Sequence, residues 1–100
     1  MTFLDAAPKL TEASFLAQVR KAAKVLGWAT YHTHNSQKSE AGFPDLVLTR
    51  RPRVIFAELK ADRGKLTDAQ RAWLDELRAC GQEAYVWRPK HWSAVEKLLR

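Results

Sequence analysis

Cysteine is almost missing from this chain. Cys80 is the single one among 100 residues, so no intramolecular disulfide can form. Histidine is scarce as well, at three residues, and no cluster of Cys and His has the spacing of a structural zinc site. A reducing, intracellular (cytoplasmic) setting is the expectation. No apolar run approaches about 18 residues, which argues against a membrane span. The opening "MTFLDAAPKL" has neither the basic start nor the long apolar stretch of a secretory signal. Gly and Pro stand at four each, and the chain is 46% hydrophobic and 28% charged, a globular composition rather than a disordered one. With no internal repeat or low-complexity segment, residues 1–100 are expected to form one domain.

Acids are the other shortage. Seventeen Lys and Arg face eleven Asp and Glu, for a formal charge of +6. On a domain this small, such an excess points to a polyanionic partner, most simply nucleic acid. The basic residues are spread along the chain, however, and net charge speaks to association rather than to mechanism.

Thr11 is an N-cap candidate with Glu12 in the first turn, followed by Phe15, Leu16, Val19, Ala23 and Leu26 at helical spacing and a stop at Gly27. "WATYHTH", Trp28 to His34, reads as a strand, and "NSQKSEAGFP" as a loop. Asp45–Thr49 and Val54–Lys60 are two strands with "RRPR" at their turn. After "ADRGKLTDAQ", with Thr67 as a second N-cap, Ala69, Trp73, Leu74 and Leu77 form a helical stripe that ends at Gly81. "EAYVW" is a fourth strand, and a short helix follows Pro89 from about His91 to Leu99. The order is α-β-β-β-α-β-α: a mixed sheet flanked by helices, with an antiparallel hairpin and a strand–helix–strand crossover from Val54 to Trp87.

Charges inside the strands are the feature to explain. Strand alternation puts Val54, Phe56, Glu58 and Lys60 on one face. Asp45 starts the hairpin partner, so it can lie beside Glu58. Two carboxylates there repel and raise one another's pKa unless a cation sits between them. Mg²⁺ or Mn²⁺ suits two carboxylates and a backbone carbonyl, and Lys60 could then orient water or stabilise charge on a phosphate. The plain alternative is a turn-capping Asp45 and a solvated strand end. Glu12 lies on the stripe Glu12, Leu16, Val19, Ala23 and Leu26, either as a dipole-matched cap residue or as a further ligand reaching over the sheet. Gln70 is ambiguous in the same way, because Thr67-x-x-Gln70 is a capping box. Lys38, His32, Arg63 and Lys65 are candidate nucleic-acid contacts. The four Trp residues read as core or dimer surface, and Cys80 as an inert helix-end residue.

"GFPDLVL", "AELKAD-GKLTDAQRAWLDEL" and "YVWRP", in that order, resemble the VRR-NUC family within the PD-(D/E)xK nuclease superfamily. The likeness runs from Glu12 through Pro89, and it implies a restriction-endonuclease-like αβββαβ core with one extra C-terminal helix. It also implies that Asp45, Glu58, the Leu59 carbonyl and Glu12 (directly or through water) bind Mg²⁺ or Mn²⁺. Lys60 would be the catalytic lysine and Gln70 the helix glutamine close to the site. The implied activity is phosphodiester hydrolysis by a DNA endonuclease that leaves 5′-phosphates. Stand-alone members of this kind resemble bacterial and phage proteins that act as homodimers on branched, junction-like DNA. The alternative is a non-catalytic nucleic-acid-binding module on the same fold, or an interaction protein whose charge is incidental.

Overall fold

The computed structural model describes residues 10–33 and 40–100. Helix α1 (Glu12–Val25) starts where Thr11 and Ser14 exchange side-chain and backbone hydrogen bonds in a capping box, and it ends before Gly27 at φ 89°. Strands β1 (Ala29–His32), β2 (Leu46–Arg50) and β3 (Arg53–Leu59) follow, then helix α2 (Asp68–Ala79), strand β4 (Glu83–Trp87), a 3₁₀ turn at Pro89–His91 and helix α3 (Trp92–Leu99). The sheet runs β1-β2-β3-β4, antiparallel across its first two pairings and parallel between β3 and β4. This is the mixed four-stranded sheet with flanking helices that the sequence predicted.

Each face of the sheet carries its own layer. Leu46, Leu48, Ile55, Ala57, Leu59 and Trp87 point to one side, where Phe15, Val19 and Ala23 of α1 and Val95 and Leu99 of α3 cover them. On the other side Phe43 sits edge-on to Phe56 (ring centroids 6.0 Å apart) and to Trp73 of α2 (5.1 Å), and Leu74 is buried. Period-two alternation in β3 therefore sends Ile55, Ala57 and Leu59 into the main core and leaves Phe56 and Glu58 under α2.

The first strand is shorter than the sequence suggested. Trp28 belongs to the core instead, 3% exposed, with its indole N–H donating to the Leu99 carbonyl at 2.7 Å. The "RRPR" tip also gains a structural role. Arg50 donates to the carbonyls of Leu26, Leu99 and Arg100, and Arg53 pairs with Glu83 at 2.7 Å and reaches the Leu98 carbonyl. Both guanidiniums lie over the Trp28 ring, at 4.6 and 5.2 Å from its centroid. The hairpin thereby satisfies the carbonyls at the C-terminal ends of α1 and α3, groups that no intrahelical bond reaches.

Gly42, at φ 87°, is the tightest point of the fold. A Cβ there would meet the Ala69 backbone carbon at 2.4 Å, so the chain entering β2 is pressed against the first turn of α2. Gly81 has a similar φ of 81°, but among the described residues nothing lies within 4 Å of its Cβ position. Gly81→Ala is expected to lose about 1 kcal/mol from backbone strain alone, whereas Gly42→Ala, with strain and overlap together, loses about 3 kcal/mol. Urea midpoints at unchanged m-value measure both, and equal losses would contradict the close approach.

Candidate active site

The ends of β2 and β3 meet under the first turn of α2. Leu46 pairs with Ala57, so Asp45, one residue before β2, comes opposite Glu58. Asp45 is tied on both sides. Its Oδ2 accepts the Leu59 N–H at 2.9 Å, and its carbonyl accepts the Thr33 N–H at 2.8 Å. The Thr33 hydroxyl donates to the carbonyl of buried Pro44 at 2.8 Å, which holds the preceding residue as well.

Glu58 is the buried charged residue of the described core, at 2% exposure. One of its oxygens faces the Gln70 amide nitrogen at 3.4 Å, and the other, Oε1, is buried with no hydrogen-bond partner among the described residues. Its carboxyl is pushed up from 4.5 to about 9, by burial first and then by the Asp45 carboxyl beside it. Lys60 pulls the other way, and Glu12 adds a smaller push upward. A buried acid of this kind with an orphaned oxygen lacks something to bind it.

Gln70 makes the capping box and also reaches Glu58. Its amide oxygen accepts the Thr67 N–H at 2.9 Å, while the Thr67 hydroxyl accepts the Gln70 N–H at 3.1 Å. Because the capping box uses the amide oxygen, the NH₂ group is the end that must face Glu58. The cap thus orients a donor toward the acid.

Lys60 is half-buried just beyond β3, and its N–H donates to the Trp87 carbonyl at 3.0 Å. The loop that follows is held by a residue to which sequence reasoning gave no role. Arg88 Nη1 collects the carbonyls of Ala61 (2.7 Å), Gly64 (2.6 Å) and, more weakly, Asp62 (3.4 Å). The Lys90 N–H adds a bond to the Asp62 carboxylate at 2.9 Å. A Cβ on Gly64 would stand 3.4 Å from Lys60 Cδ, so the loop folds back along the lysine stem. Arg88 was visible in "YVWRP", but a lone Arg after a strand carries no signal that it gathers carbonyls 24 to 27 residues upstream.

The remaining candidates fall at different distances from this centre. Glu12 falls at the angle of the buried stripe Phe15, Val19 and Ala23, but at the first position of α1 its side chain is exposed. Among the described residues no group of three or more His, Cys, Asp or Glu is placed to hold a metal ion, and the Glu12 charge adds to the upward push on the Glu58 carboxyl. Arg63 and Lys65 are exposed on the loop that Arg88 holds. His32 is half-buried opposite Leu46, which puts it on the α1 side of the sheet rather than the Glu58 side. Lys38 lies outside the described residues, as does His34.

The donor set fits a hard divalent cation. Asp45, Glu58 and the Leu59 carbonyl offer oxygen only, and the orphaned Glu58 Oε1 is an acceptor that a cation would satisfy.

Residues 4–90 match the VRR-NUC domain family. A solved VRR-NUC domain protein superposes with TM-score 0.68 at 23% identity, covering 81% of this chain and 79% of that one. A second VRR-NUC domain gives 0.66 at 24% identity, over 90% of this chain and 96% of that one. A Holliday junction resolvase from the archaeal hyperthermophile Archaeoglobus fulgidus gives 0.51 at 26% identity, over 78% of this chain and 65% of that one. No curated protein matches the sequence.

The raised Glu58 carboxyl has a sign that can be measured on the cation-free protein. Between about pH 5 and pH 9 the folded state keeps a proton that the unfolded state releases, so stability falls as pH rises through that window. Glu58→Gln removes the dependence and is expected to raise Tm at pH 8 by at least about 4 °C, corresponding to about 1 kcal/mol or more. Thermal melts at pH 5 and pH 8 in EDTA check this, and parallel curves for the two proteins would contradict it.

Proposed function

The chain belongs to the VRR-NUC domain family, and on that premise we propose that it is an endonuclease that hydrolyses DNA phosphodiester bonds with Mg²⁺ or Mn²⁺. The observation that carries the reading is the Asp45–Glu58 pair: a buried acid with an orphaned oxygen, facing a second carboxyl at the open end of a sheet. The fold is that of nucleases, as the likeness to the archaeal junction resolvase supports. The basic charge of +6 suits a polyanionic substrate.

Asp45, Glu58 and the Leu59 carbonyl hold the cation, with Glu12 nearby as a further anionic group. When bound, the cation supplies Lewis acidity toward the phosphate and acidifies water at neutral pH. The chain's own groups do the rest. Gln70 holds the Glu58 carboxylate in one orientation through its capping-box amide. Lys60, on the same strand face as Glu58, stabilises negative charge that builds on the phosphate in the transition state. Arg88 fixes the loop behind Lys60, so that Arg63 and Lys65 present their charges to flanking phosphates. Burial of Glu58 keeps water from competing for its inner oxygen.

Branched DNA is the proposed substrate, and a homodimer the acting form. Two symmetric copies would cut two strands of a symmetric junction. An intracellular site of action follows from such a substrate. The competing reading is a non-catalytic nucleic-acid-binding module, which binds the same DNA and leaves it whole.

Cleavage of a synthetic four-way junction beside a matched linear duplex, with Mg²⁺, Mn²⁺ or EDTA, tests the proposal. Either cation is expected to support cutting and EDTA to abolish it. Asp45→Asn, Glu58→Gln and Lys60→Met are each expected to reduce the rate at least 10²- to 10³-fold while junction affinity changes less than about 3-fold. Binding without cleavage by the wild type under every cation condition would overturn the enzyme reading.

A further inference from the structure

Between Glu12 and Glu40 the sequence contains no acid, while Arg20, Lys21 and Lys24 fall on one arc of α1. With Trp28, Ala29 and Thr30 these three residues line an open groove of about 480 Å³ between the helix and the start of β1. Arg20 is steered into it by a hydrogen bond to the Thr30 hydroxyl at 3.4 Å. All three cations are exposed, and none has a carboxylate partner among the described residues, where the ion pairs are Arg53–Glu83, Arg78–Asp75 and Arg100–Glu96. Glu96, which lines the adjoining groove with Lys21, is engaged by Arg100 at 3.2 Å. Arg50 lies over the Trp28 ring and donates to the carbonyls of Leu26 and Leu99.

The opposite helix differs in sign. Helix α2 carries Asp68, Asp75 and Glu76 against Arg71 and Arg78, and Arg78 is paired with Asp75 and bonded to the Ala84 carbonyl. The protein is therefore cationic along α1 and close to neutral along α2, and the active site sits at the end between them.

We propose that the α1–β1 groove seats the phosphate backbone of duplex DNA extending away from the cleavage site. The inference rests on the endonuclease reading for what lies at the other end of the sheet. The β1–β2 register sets the direction: His32 pairs with Leu46 beside Asp45, whereas Ala29 of the groove pairs with Thr49, so the groove lies toward the other end of the sheet from the site. Four strand residues, Asp45 to Thr49, correspond to about 13 Å. At 3.4 Å per base pair, the groove meets the duplex about four base pairs from the cut. Compact cations on one helical arc above an aromatic floor fit a run of phosphates rather than a base edge.

The test compares wild type with the Arg20→Ala/Lys21→Ala/Lys24→Ala variant and with an Arg71→Ala/Lys97→Ala control that removes charge elsewhere. Affinity for a 20-base-pair duplex is measured by fluorescence anisotropy in EDTA across a salt series. Losing three phosphate contacts should make the log–log salt slope shallower by about 2 to 3, with the control unchanged within about half a unit. In cleavage, KM for a substrate with a long arm should rise at least about 10-fold at constant kcat. A substrate whose arm ends about three base pairs from the cut should show no difference. Equal slopes for wild type and triple variant, or an equal effect per charge from the control, overturn the groove while wild-type cleavage still stands. A wild type that binds through the groove but cuts nothing overturns the endonuclease reading and leaves the groove standing. Tighter retention of anionic lipid vesicles than of the duplex would refute DNA as the occupant.

Discussion

A carboxyl buried at the end of a strand, beside a second carboxyl, is the constraint around which this protein is arranged. Glu58 is 2% exposed, and one of its oxygens has no hydrogen-bond partner among the described residues. An isolated charge in that position costs several kcal/mol, so without a cation the group keeps its proton far above the normal range. A core residue at this place would be more stable as Leu or Met. Retaining an acid there makes physical sense when something positive binds it.

Much of the neighbouring structure serves to hold that acid and its surroundings in place. The β2–β3 register brings Asp45 opposite, and the Leu59 N–H fixes its carboxylate. Gly42 lets the chain press against Ala69, and Phe43 packs edge-on to Trp73, so the segment entering Asp45 is packed against α2 at two points. That turn carries Gln70, whose capping box doubles as an orienting device. From the other side Arg88 gathers three carbonyls of the loop after Lys60. At the far end of the sheet, Arg50 and Arg53 clamp Trp28 and close the ends of α1 and α3.

What could be read from the sequence was what depends on period and punctuation. Both N-caps, the Gly stops, the hairpin and the parallel crossover follow from local patterns, and alternation in β3 placed Phe56, Glu58 and Lys60 on one face. Long-range polar contacts were not readable in the same way. Trp28 read as the start of an aromatic, β-branched strand and as core or dimer surface, and its bond to the Leu99 carbonyl at the end of α3 was not legible from either reading. Glu12 seemed to share the inward stripe, since i and i+4 fall together on a helix wheel. At the first position of the helix, however, its side chain is exposed. For Gln70 the sequence offered two roles as alternatives, and the geometry shows that the two ends of one amide serve both.

The central claim is that Glu58 is held uncharged until a divalent cation binds beside it. Carboxyl ¹³C NMR on Glu-labelled protein, with the Glu58 signal assigned by its loss in Glu58→Gln, measures this directly. In EDTA the Glu58 carboxyl should titrate near pH 9, and with saturating Mg²⁺ it should stay ionised at least down to about pH 6. A Glu58 signal that titrates in the ordinary carboxylate range without cation, or that ignores Mg²⁺ altogether, would contradict the account.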